Sequence, residues 1–134
     1  MLRLLAATLA LFFTIPALAA SAGEWPPEVA AANHALIVAK SFRVTTTAGT
    51  VVQTVIVDGP NRDRIVLPPN ALAVREGDDT DGVSAAHLYH IIYPGGSPQV
   101  RWYIRVSDGL VHRIKRPGRG VTLNLTIDQY KGAH

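Results

Sequence analysis

In "RWYIRVSDGLVHRIK", Arg101, Tyr103 and Arg105 alternate with Trp102 and Ile104, and Arg113 and Lys115 continue the pattern beyond Asp108-Gly109. Successive side chains of a strand point to opposite faces, so these five polar groups share one face if both segments are strands. Their chemistry is anion binding: guanidinium and ammonium groups take phosphate or carboxylate, and a tyrosine ring lies well beneath a cation. An acidic protein partner or an anionic membrane surface would suit such a patch. The same array also describes the solvated outside of a sheet, and both readings stand at this stage.

Other chemistry is thinly supplied. His87 and His90 in "HLYH" are three apart, which sends them to opposite faces of a strand rather than onto one ion. His112 falls on the apolar face of its segment, as a hydrogen-bonded core histidine does. "GDDTDG" at 77–82 lacks the alternating oxygen ligands and terminal glutamate of a calcium hand loop and reads as a solvated turn. The chain has no cysteine and no Gly-x-Ser-x-Gly elbow, and its serines at 84, 97 and 107 sit in or beside turns without an evident base. No catalytic residue, metal or cofactor is therefore expected. Nucleic acid does not suit so limited a positive charge.

The elements that would position the patch follow from periodicity. "PPEVAAANHALIVAKSF" is the one convincing helix, with Pro27 in the first turn, Glu28 near the positive end of the dipole and Lys40 near the other. Val29, Ala32, Leu36 and Ala39 form its apolar stripe, widened by Ile37. Everything after Ser41 reads as short strands, at 42–47, 50–57, 62–67, 71–75, 86–93, 99–107, 110–115 and 121–128, divided by Gly-, Pro- and Asp-rich turns. Close spacing and the lack of crossover helices predict an α+β, mainly β fold: an antiparallel meander packed on one helix.

The alternations also predict the hairpin register. A two-residue Asp108-Gly109 turn would set Trp102 opposite Lys115 and Ile104 opposite Arg113. A three-residue loop with Gly109 left-handed instead pairs Val106 with Leu110, Ile104 with His112 and Trp102 with Ile114. The other face then joins Arg101 to Lys115 and Tyr103 to Arg113. The second register is the one expected.

The amino terminus suggests a compartment. "MLRLLAATLALFFTIPALAASAGEW" has one early cation, an apolar run from Leu4 to Ile15 and two small-residue cleavage candidates, "ALA" and "ASA". That is the pattern of a secretory signal peptide over residues 1–22, its apolar run shorter than the roughly 20 residues needed to span a bilayer. Residues 23–134 then form one exported domain without a disulfide, which suits a bacterial periplasm. Charge within it is uneven. Residues 23–98 carry five Lys/Arg and eight Asp/Glu, and residues 99–134 carry seven and two, so the basic balance belongs to the C-terminal part.

The order of these features resembles the periplasmic outer-membrane lipoprotein carrier proteins, the LolA/LolB-like superfamily. The resemblance rests on the helix leading into "SFRVTTTAGTVVQTVIVDGPNRDRIVLPPNALAVREGD", on Pro60, Arg64, Ile65, Gly77 and Asp78 within it, and on the closing "WYIRVSDGLVHRIKRPGRGVTLNLTIDQY" with its Asp-Gly turn and Tyr130. It implies a half-barrel sheet around the helix, and non-enzymatic binding of a lipid or lipoprotein acyl chain. Leu36, Phe42, Val44, Trp102, Ile104, Leu123, Leu125 and Ile127 would line its cavity. The other expectation is a regulatory or interaction module that uses the basic face of Arg101, Tyr103, Arg105, Arg113 and Lys115.

Overall fold

Pro27 opens a helix, α1 (Pro27–Val38), at the position where a missing amide hydrogen costs nothing. The helix ends at Ala39, which is extended (φ −61°, ψ 136°) and returns its amide to the Ala35 carbonyl. The computed structural model describes residues 24–58, 62, 65–96 and 99–132. The expected signal peptide, and Pro60 and Arg64 of the resemblance, lie outside them. None of the described helices is long and apolar enough to cross a membrane.

Seven strands follow: β1 (Ser41–Ala48), β2 (Val51–Asp58), β3 (Leu72–Thr80), β4 (Ala85–Ile92), β5 (Val100–Arg105), β6 (Val111–Pro117) and β7 (Thr122–Lys131). They form one antiparallel sheet in the order β2-β1-β7-β6-β5-β4-β3. The fold is thus mainly β, with an open, curved sheet. β3 to β7 run as a meander, and β7 closes back on β1, so the β1–β2 hairpin extends the far side. Register shifts in β1–β7, β3–β4 and β5–β6 supply bends, because an extra residue on one strand increases local twist.

The helix stripe is buried as its spacing predicts. Val29, Ala32, Leu36 and Ala39 pack with Phe42, Tyr89, Ile91, Trp102, Ile104, Ile114 and Ile127 in one core. Ile37, expected to widen the stripe, instead faces solvent at 47% exposure. Trp102 is fully buried at the centre, and its indole N–H finds no acceptor among the described residues.

Between β2 and β3 the chain must cross the whole sheet, and it does so against the helix. The Arg62 guanidinium donates to the carbonyls of Leu36 (3.4 Å), Ile37, Ala39 (2.7 Å) and Lys40 (3.5 Å), placing a cation on the negative end of α1. Buried Asn33 accepts the Leu67 amide (2.8 Å) and donates to the Leu67 carbonyl (3.4 Å). The Trp25 indole donates to Ala71 (2.9 Å). Residues 62 and 65–67, expected within a strand, are therefore not part of one. The Ile65 and Val66 amides turn back onto the Arg62 carbonyl (2.9 and 3.0 Å), Asn33 takes the Leu67 backbone groups, and Pro68-Pro69 offers no ladder donor.

The acidic run is also not all turn. β3 continues through Asp78, Asp79 and Thr80, opposite His87, Ala86 and Ala85, because a bulge at Glu76-Gly77 (Gly77 φ 146°) lets the strand absorb the glycine. Only 81–84 turn, and Asp81 is buried there rather than solvated.

Candidate functional site

Alternation along β1 and β2 brings one apolar row from each to the inner face. Val44 stands opposite Val55, Phe42 opposite Val57, and Thr46 opposite Gln53. On the other side of β1, Val44 meets Ile127 and Thr46 meets Leu125. The helix sits over β5 and is tied to β4 through Glu28, so it leaves this half of the inner face open. What results is a groove of about 350 Å³ walled by Val44, Thr46, Gln53, Val55, Val57, Ile65, Leu125 and Arg116. That volume is at the low end of the roughly 300–1,000 Å³ of small-molecule sites, and its lining sets five aliphatic side chains beside Thr46, Gln53 and Arg116.

Of the expected cavity residues, Val44 and Leu125 line this groove. Leu123 is half-buried against the core beside it. Leu36, Phe42, Trp102, Ile104 and Ile127 do not line it; they are buried in the core of which Val44 and Leu125 are also part. The open space lies toward the β2 edge. Its β2 walls, Gln53, Val55 and Val57, were not anticipated: "VVQTVIV" is apolar on both faces and hides which row faces inward.

The basic face has the expected partners along most of its length. Arg101 pairs with Lys115, Trp102 with Ile114 and Tyr103 with Arg113. Near the turn the register differs by one. The loop is four residues, 106–109, closed by Arg105 N–H to the Leu110 carbonyl (2.8 Å) and Gly109 N–H to the Arg105 carbonyl (2.8 Å), with Gly109 left-handed (φ 72°). Ile104 consequently faces Val111 instead of His112, and a bulge restores the expected register by Tyr103. The offset leaves His112 well bonded: it is buried, its Nδ1 lies 2.9 Å from the Ile127 carbonyl oxygen, its Nε2 lies 2.7 Å from the Asp108 carboxylate, and its ring meets Tyr130 edge-on.

The cations on that face are largely answered from within the chain. Arg101 donates to Glu76 (2.9 Å), whose other oxygen lies 3.5 Å from His90. Arg105 donates to Asp81 (2.7 Å), whose carboxylate is fully buried. Burial alone would push the Asp81 carboxyl up, but the Arg105 hydrogen bond and the Ser84 and Val83 amides outweigh it and hold it below the ordinary value. Arg113 and Lys115 both lie over the Tyr103 ring at 5.6 Å, and Arg113 also donates to Asn124 (3.3 Å). Tyr103 is buried beneath them. The five residues do share one face, and two of its four cations, Arg101 and Arg105, are paired with carboxylates.

A third grouping was not legible at all. Glu28 at the start of α1 accepts from His87 Nδ1 (2.8 Å) and from the Tyr89 hydroxyl (2.8 Å), both on β4. Burial first, and then the Glu28 carboxylate, push the Tyr89 hydroxyl up to about 12. The phenol thus stays protonated and acts as a fixed donor that staples helix to sheet. Among the described residues, no three His, Asp or Glu side chains gather as metal ligands would. Comparison with protein-family models, curated proteins and solved structures finds no match.

Proposed function

We propose that the protein is a non-enzymatic carrier that holds the acyl chain of a lipid or lipoprotein in the groove over β1 and β2. The observation that carries this reading is the open trough in which the aliphatic side chains of Val44, Val55, Val57, Ile65 and Leu125 line up beside Thr46, Gln53 and Arg116, on the half of the inner face that α1 does not cover. An apolar chain laid there removes hydrocarbon from water at about 25 cal/mol per Å². Arg116 in the same wall offers a charge-assisted contact to an anionic head group. The resemblance to lipoprotein carriers and the leader-like amino terminus support the same reading, with the carrier at work in a bacterial periplasm.

A fluorescent fatty acid tests it. Titration into the purified protein should give saturable binding. Val55→Trp should abolish that binding without lowering the melting temperature, since Val55 is 46% exposed and a larger side chain there enters the groove rather than the core. Saturable binding that Val55→Trp leaves unchanged, or no binding at all, overturns the proposal.

A further inference from the structure

The two edges of the sheet are built differently. β3, at one edge, carries Arg75, Glu76, Asp78 and Asp79 and is bent by the bulge at Gly77, which is how natural sheets prevent edge-to-edge pairing. β2, at the other, has no charged residue from Val51 to Val57 and no bulge against β1. Among the described residues no strand covers its outer side. Four of its large apolar side chains are exposed, Val51 (65%) and Val55 (46%) on the inner face and Val52 (63%) and Ile56 (54%) on the outer. An uncharged, unbent edge of this length is a template for a further strand.

The sequence of β2 specifies which strand. "VVQTVIV" is close to palindromic in side-chain type about Thr54. A two-fold axis through Thr54 would pair antiparallel copies so that Val52 faces Ile56, Val51 faces Val57 and Gln53 faces Val55. Directly opposed residues of antiparallel strands lie on the same face, and every pair joins two aliphatic side chains except Gln53 with Val55 and Thr54 with its own copy. Moving the axis by one residue to Val55 would instead set Val52 against Asp58 and Gln53 against Val57. A closed two-fold interface requires a surface that complements itself, and this strand meets that requirement.

We infer that the protein forms a symmetric dimer through β2, with two copies joined into one continuous antiparallel sheet about an axis at Thr54. Gln53 and Val55 wall the groove, so the pairing continues each groove into the second copy and covers its open side. The dimer rests on the edge alone and goes beyond the carrier reading; its test reads mass and covalent linkage, not ligand.

The chain has no cysteine, so a single introduced thiol reports the axis without interference. Thr54→Cys should form an intermolecular disulfide on mild oxidation about ten-fold or more faster than Val83→Cys, because pairing holds the two thiols at high effective concentration. Val83, 81% exposed in the β3–β4 turn, supplies the collision rate. Sedimentation of the wild type should give twice the chain mass. V52K/I56K should give the monomer mass, because each introduced lysine meets another across the axis. V52K/I56E should restore the dimer, because the lysine at one position then meets the glutamate at the other. That rescue also decides the matter if V52K/I56K folds poorly. A monomeric wild type, equal rates for the two cysteine variants, or a dimer indifferent to both charge variants overturns the inference. A monomeric wild type would leave the edge to a strand of another protein.

Discussion

Asp81 is the buried partner of Arg105 on the basic face, and its removal has a calculable cost. Its Oδ2 accepts from Arg105 (2.7 Å), and its Oδ1 accepts the amides of Val83 and Ser84 (2.9 Å each), which shape the β3–β4 turn. Hydrogen bonds to charged groups contribute about 1.5–3 kcal/mol and neutral ones about 0.5–1.5 kcal/mol. Asp81→Asn keeps an oxygen for the two amides but turns an NH₂ toward Arg105, so it should cost about 2 kcal/mol. Asp81→Ala loses all three bonds and leaves Arg105 uncompensated; it should cost about 3–4 kcal/mol, moderated because the Arg105 side chain keeps 20% of its exposure and can reach water. In a domain of this size these correspond to melting-temperature losses of roughly 8 and 14 °C. The folded carboxyl lies below its unfolded value, so its contribution is complete above the unfolded value near 3.9 and is lost as pH falls through the folded one. Urea unfolding of wild type and Asp81→Asn at neutral pH and again at about pH 2 should therefore show a gap that narrows in acid. A gap below about 0.5 kcal/mol at neutral pH, or one of equal size at both, would refute the role given to this carboxylate.

Arg62→Ala should destabilise the protein by about 1–2 kcal/mol, and hydrogen exchange should quicken most in the last turn of α1, whose carbonyls the guanidinium holds. Tyr130→Phe removes the hydroxyl that donates to the Val111 carbonyl (2.5 Å) while leaving the ring against Phe42 and His112, so a loss of about 1 kcal/mol is expected in denaturant titration. Glu76→Gln frees Arg101 from its carboxylate and should strengthen salt-sensitive binding to anionic vesicles by about 1 kcal/mol, roughly five-fold in a co-sedimentation assay.

What could be read in advance was whatever local periodicity dictates. The helix stripe of Val29, Ala32, Leu36 and Ala39 is buried because its 3.6-residue spacing leaves one face for the core. The Arg101–Lys115 and Tyr103–Arg113 pairs follow from alternation, since any other register would have mixed Trp102 and Ile114 with cations. The rest depends on partners distant in sequence. Nothing near Arg105 reveals that Asp81 answers it across 24 positions, and nothing near His87 reveals Glu28, 59 away. The apolar stretch at 65–67 has the composition of a strand, yet Asn33 draws its backbone to the helix. That the groove lies toward β2 rather than β5 has a related reason. Alternation identifies the inner rows of β1 and β7, but only the packed position of α1 decides which part of those rows is covered, and Trp102 proves to be under the helix.

The carrier reading is tested most directly by native mass spectrometry of the protein purified from the cells that make it. The expected result is a population heavier than the unliganded protein, as monomer or dimer, by the mass of an acyl-chain amphiphile, lost in Val55→Trp while the fold persists by circular dichroism. Unliganded mass alone in a folded wild type, under conditions that keep a known lipid carrier loaded, would contradict it.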